Sequence, residues 1–160
     1  NQTEKATLKE ESRALSHANE INEHRYADIL NQRIKLWHQS LQICVRLFKT
    51  TTSYKKIQSI ETSKNKKEKE ITQEELSLIY QEINEAFIEA MQELLEQYPS
   101  LTQDDLYYCI LNYLQLSNNT IKVCMKAGSQ SALTQRKYRI KKQLSDLSFS
   151  IIFDAKGESK

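Results

Sequence analysis

Between Leu30 and Phe48 the chain places apolar residues at alternating steps of four and three: Leu30, Ile34, Trp37, Leu41, Cys44 and Phe48. That alternation is the seam of a long helix pressed against another. A second stripe, Ile29, Leu36, Ile43 and Leu47, runs beside it. Two stripes ask for cover on two sides, one from a partner helix and one from the same chain, as in a four-helix bundle formed by a dimer. Upstream, Leu8, Leu15, Ala18 and Asn22 keep roughly heptad spacing. An Asn in such a row sets a parallel register at some cost in stability. Neither Gly nor Pro interrupts Thr3 to Lys49, and Tyr54, Ile57 and Ile60 carry the helical period about two turns further.

The polar run from Ser63 to Glu70 then breaks the pattern and reads as a solvated linker, with a nuclear-localisation or nucleic-acid patch as the sharper alternative. Thr72-Gln-Glu-Glu75 has capping-box spacing, in which hydroxyl and carboxylate satisfy unpaired backbone N–H groups. Leu76, Ile79, Tyr80, Ile83, Phe87, Ala90, Leu94 and Tyr98 predict one helix with a single apolar face, closed by Pro99. Thr102, followed by Asp104 and Asp105, caps a further helix with acids at its positive end. Three short helices are predicted: Thr102 to about Leu116, Ser117 to about Ala127, and Ser129 to about Leu144. Gly128 is expected to supply the left-handed residue of the last turn. Leu147, Phe149, Ile151, Ile152 and Phe153 form an apolar tail of mixed period that covers the core or adds an interface.

Composition narrows the fold to all-α. Two Gly and one Pro in 160 residues leave too little turn chemistry for a multi-stranded sheet. The architecture expected is a long coiled-coil-like N-terminal helix followed by a small helix-turn-helix head. Its parts are a dimerisation region over 1–62, a linker over 63–70, an acidic connecting helix over 71–99, the head over 100–146 and a tail over 147–160. No run approaches the apolar length of a membrane span, and no signal peptide opens the sequence. Because the chain begins at Asn1, a piece of a longer protein is expected. Cys44, Cys109 and Cys124 lie in apolar-periodic segments, so they read as core thiols in a reducing cytoplasm.

The net charge of +2 hides a partition along the chain. Residues 1–70 carry net +5, residues 71–121 nine acids and no base, and residues 122–144 seven bases and no acid. Such asymmetry marks either a charged partner or an acidic helix packed on a basic one within the fold. A short helix, a tight turn and a helix bearing Arg136, Lys137, Arg139, Lys141 and Lys142 have the form of a helix-turn-helix reader. On that last helix Leu133, Ile140 and Leu144 share an anchoring side. Ser131, Thr134, Gln135, Tyr138 and Lys142 project on the other, where amides and hydroxyls meet bases or phosphates and cations neutralise the backbone.

These residues resemble a known family. Leu101-Thr102, Ser117-Asn118 and Ile121 stand at the mutual spacing of the LuxR/GerE-type helix-turn-helix, whose pattern opens with Leu-Thr and continues to Ser-Asn-Lys-Glu-Ile. Ser131 to Leu144 is similar to the family's recognition helix. Together with Glu85 to Pro99, the segment resembles the C-terminal cytoplasmic part of Bacteroidetes-type tetratricopeptide-containing regulators. The resemblance implies double-stranded DNA as partner, Asn118 and the outer residues of 131–142 as contacts, a cytoplasmic location, and a tether to a membrane-spanning sensor upstream of residue 1. Two departures stand out: Asn119-Thr120-Ile121-Lys122 replaces Lys-Glu-Ile-Ala, and one extra residue falls around Lys126 to Gly128, which re-aims the reading helix.

Other chemistry is sparse. His17, His24 and His38 share no metal-ligand spacing, and Asn22 to Arg25 only loosely resembles a phosphoacceptor box. Two glycines make no phosphate cradle, so no cofactor and no enzyme activity are expected. Tyr107, Tyr108 and Tyr113 are expected to fill the core with hydroxyls toward solvent, a stacking platform for bases being the alternative. The reading is a DNA-binding transcription regulator, a homodimer through Leu30, Ile34, Trp37, Leu41, Cys44 and Phe48. A protein-interaction or signal-relay module with a degenerate helix-turn-helix is the alternative. For the seam, the alternative is burial by helix 72–98 of the same chain.

Overall fold

The structure, a computed structural model, describes residues 1–64 and 70–154. Most of the polar run from Ser63 to Glu70 and the last six residues therefore lie outside the described residues. Among the described residues every regular element is helical: α1 (Gln2–Phe48), α2 (Thr52–Thr62), α3 (Gln73–Ala86), α4 (Ile88–Gln97), α5 (Gln103–Tyr113), α6 (Asn118–Met125), α7 (Gln130–Gln143) and α8 (Asp146–Phe153). The all-α expectation holds. None of these helices is long and apolar enough to cross a membrane.

The chain divides into two units, Asn1–Leu36 and Trp37 onward. The first is a helix whose residues 1–29 are all exposed; Leu30 is half-buried and Ile34 buried. In the second, the remainder of the predicted seam is consumed by the chain itself. Trp37, Leu41, Cys44 and Phe48 are buried, the Trp37 Nε1–H donates to the carbonyl of Ala90 at 2.9 Å, and the Phe48 ring lies tilted 5.8 Å from that of Phe87. These four residues therefore belong to the core of the second unit, and the intramolecular alternative is the one observed. The companion positions Ile43 and Leu47 stay exposed. His38 is engaged as well, its Nε2 lying 3.0 Å from the Tyr113 hydroxyl.

Local caps explain where the helices start. Thr51, Thr72, Thr102, Ser117, Ser129 and Ser145 each accept a backbone N–H from the first turn that follows. Thr72 with Glu75 and Thr102 with Asp105 complete capping boxes. Two breaks were not foreseen. A turn separates Phe48 from the Thr51 cap, where the Thr50 and Thr51 hydroxyls donate to the carbonyls of Leu47 and Phe48. The single helix expected over 72–98 is divided at Phe87, whose backbone leaves helical geometry (φ −109°, ψ 14°) as its ring enters the core against Phe48.

α5 is the axis of the second unit. It packs on α4, α6 and α8, while α2 packs on α3 and α6, and α6 on α7. The apolar tail is helix α8, with Ile152 buried and Phe153 5.9 Å from the ring of Tyr108, so it covers the core. Tyr98 ties this corner together: its hydroxyl accepts the Ser145 N–H at 3.1 Å and lies 3.2 Å from the Ser148 hydroxyl.

Candidate nucleic-acid interface

The basic helix α7 is held from one side only. Leu133 and Ile140 are its buried residues, and the Leu144 that follows them is buried too. From below, the Tyr108 hydroxyl of α5 donates to the Leu133 carbonyl, and its neighbour Tyr107 donates to the Cys124 carbonyl of α6, both at 3.4 Å. The two tyrosines are buried, so their hydroxyls point to backbone rather than to solvent and neither ring is open for stacking. Burial also pushes the Tyr107 and Tyr108 hydroxyls above the usual phenol range. They remain neutral donors that fix where α6 ends and α7 runs.

The opposite side of α7 is exposed. Ser131, Thr134, Gln135, Tyr138, Arg139 and Lys142 all lie there, with Tyr138 61% exposed, and no acid stands on the helix. Lys142 places its ammonium 4.4 Å from the Tyr138 ring centroid, so cation and aromatic form one unit at the end of this face. Asn118, at the first turn of α6, is exposed as well. Thr134 donates its hydroxyl to the Gln130 carbonyl at 3.1 Å, which leaves the oxygen's lone pairs as acceptors.

Three of the predicted contact residues have other engagements. Arg136 is turned inward: its Nη1 donates to Oδ1 of Asp105 at 2.6 Å, and that carboxylate is only 3% exposed. The other oxygen of Asp105 accepts the Thr102 N–H at 3.0 Å, so one buried carboxylate both caps α5 and holds α7. Arg136 is thus a brace of the head, and it leaves the outer face. Lys137 and Lys141 lean toward α8, at 5.3 Å from the rings of Phe153 and Phe149 respectively, although both side chains stay exposed. The exposed polar face that remains is Ser131, Thr134, Gln135, Tyr138, Arg139 and Lys142.

The turn before α7 differs from expectation. The left-handed residue is Lys126 (φ 50°, ψ 39°), and no described glycine has positive φ. Lys126 N–H reaches the Val123 carbonyl at 3.2 Å and Ala127 N–H reaches that of Lys122 at 3.0 Å, the paired bonds of a Schellman motif. Helix termination needs the left-handed residue immediately after Met125, and Gly128 comes two positions too late. A second non-glycine, Gln115 (φ 61°), makes the bend between α5 and α6.

A functional contributor that the sequence reading missed is Glu61. Ser117 caps α6, but the third helical position is Thr120, which has no carboxylate to return to the cap. Glu61 of α2 supplies one: it accepts the Ser117 N–H at 2.9 Å, the Ser117 hydroxyl at 3.0 Å and the hydroxyl of buried Thr120. The capping box is completed from another helix, 56 residues away in sequence. No local sequence signal points to Glu61, since Thr51, Ser129 and Ser145 also start helices with no carboxylate at the third position. Cys124 follows on the same helix, and burial, reinforced by the nearby Glu61 charge, pushes its thiol up to about 12. All three cysteines are buried and unpaired with one another, as core thiols should be.

No family model matches the chain, and no curated protein and no solved structure matches it either.

Proposed function

We propose that the chain binds double-stranded DNA through α6 and α7, as the reading head of a bacterial transcription regulator that works in the cytoplasm. The observation that carries this reading is the outer face of α7: cations, an amide, hydroxyls and an exposed tyrosine with no acid among them. DNA offers phosphate oxygens that Arg139 and Lys142 neutralise, and base edges that Gln135 and Thr134 can match. The α5–α6–α7 succession, with Leu133 and Ile140 anchoring the last helix, is the form in which such a face enters a major groove.

A titration of fluorescent genomic fragments at two salt concentrations tests it. Binding should weaken as salt rises, with a log–log slope near 0.9 per phosphate contacted. Absence of any binding at low salt would sink the proposal. A second reading, a protein-interaction or signal-relay module, is favoured by one observation: Arg136, Lys137 and Lys141 are directed to Asp105 and to the rings of α8. Under that reading, substitution of the outer face leaves DNA binding nil and instead abolishes capture of a protein partner.

A further inference from the structure

We propose that residues 1–36 form a homodimerisation arm in which Leu8, Leu15, Asn22, Ile29 and Leu36 pack against the same row of a second copy of this chain. These five positions recur every seventh residue without a slip. On a straight helix such a row drifts by about 20° per heptad, so a strict seven-residue repeat stays on one side only when two helices wrap around each other. The period therefore specifies another helix as the occupant.

Burial within the chain leaves that place open. Residues 1–29 are all exposed, Ile21 least among their large apolar side chains at 40%, and Leu8, Leu15, Ile29 and Leu36 are each 64–66% exposed. A helix without tertiary packing has little to hold it, because most helical stability comes from covering an apolar face. From Leu8 to Leu36 the row runs roughly 42 Å at 1.5 Å per residue, a seam of useful length for a coiled coil.

The identity of the second helix follows from Asn22. It stands at the centre of the row, with apolar positions one and two heptads away on either side. The row is thus symmetric about it, and in a pair of identical chains Asn22 meets Asn22 whichever way the second helix runs. Each amide then offers the other a donor and an acceptor. Against a foreign apolar helix the same side chain would be buried without a partner, at a cost of about 1–3 kcal/mol. This inference is separate from what α7 binds.

Sedimentation equilibrium of the whole chain without DNA tests it. The expected mass is twice 18.8 kDa. A Leu15→Lys, Ile29→Lys double variant should return it to 18.8 kDa. The thermal unfolding of the compact unit should be unchanged, since both residues are exposed. Under oxidation Asn22→Cys should give a cross-linked dimer, while His24→Cys, about 200° away around the helix, should not. The natural thiols are buried and leave a low background. An unsubstituted chain at 18.8 kDa, a dimer that survives the double substitution, or equal cross-linking at residues 22 and 24 would each overturn the proposal.

Discussion

α5 and α7 are neighbours of similar length with opposite assignments. Seven of the eleven residues of α5 are buried, including the carboxylate of Asp105; of the fourteen in α7 only Leu133 and Ile140 are. The difference is one of chemistry before it is one of geometry. A helix that reads Asp-Leu-Tyr-Tyr-Cys-Ile-Leu has apolar surface on every side and must be surrounded. A helix carrying five cations can be held along only one line. What the contrast teaches is that the head separates support from presentation: α5 fixes positions, through Asp105 and two tyrosine hydroxyls, and α7 displays what is left over.

Substitutions in α5 should break this arrangement most severely. Ile110→Ala or Leu111→Ala should lower unfolding free energy by about 2–5 kcal/mol, as should Leu133→Ala, the anchor of α7, because each leaves a cavity in a close-packed site. Urea denaturation checks this, with the midpoint falling and DNA affinity lost only as the head unfolds. Asp105→Ala comes next. It removes the carboxylate half of the α5 capping box, leaving the Thr102 cap in place, and deprives Arg136 of its partner; since that guanidinium can still reach solvent, the loss should be about 1–3 kcal/mol.

Lys142→Ala probes the other half of the comparison. Stability should stay within about 0.5 kcal/mol of the unsubstituted chain, while the salt dependence of DNA binding flattens by about 0.9 log units per lost phosphate contact. Gln135→Ala should instead change preference among DNA sequences, by roughly 1–3 kcal/mol where a base contact is lost. If Lys142→Ala left affinity and salt slope untouched in a folded protein, α7 would be presenting its face to something other than DNA.

The smallest effects concern the turn that aims α7. Lys126→Gly should raise stability by about 1 kcal/mol, because a side chain in left-handed geometry is strained and glycine is not. Gly128→Ala should be neutral or raise stability by about 0.4–1 kcal/mol, since its φ is not positive and an added Cβ meets no atom within 4 Å. Thermal melts of the two variants check both. A strong loss on Gly128→Ala would restore glycine as the residue that the turn requires.

Much of the fold was legible in the sequence wherever the signal is local. Thr72-Gln-Glu-Glu75, Thr102 with Asp105, Ser117 and Pro99 mark helix ends by hydrogen bonds or steric clashes that act within a turn, and each lies where the sequence places it. The apolar face of α7 was equally plain, since a helical period fixes which residues share a side. The tertiary structure alone decided who covers whom. Trp37 to Phe48 read as a seam for a second chain or for helix 72–98, and Ala90 and Phe87 of the same chain meet it at Trp37 and Phe48, because a 3–4 repeat specifies a helical neighbour and not its source. Arg136 was one of five similar cations until the buried Asp105 selected it. Glu61 was an unremarked acid until folding carried it 56 residues to the start of α6. Periodicity and capping act over a few residues, so the sequence by itself determines where most helices start and which residues share a face, whereas the break at Phe87 came only with its ring entering the core. Pairing between distant groups depends on which surfaces meet, and only the packed chain settles that.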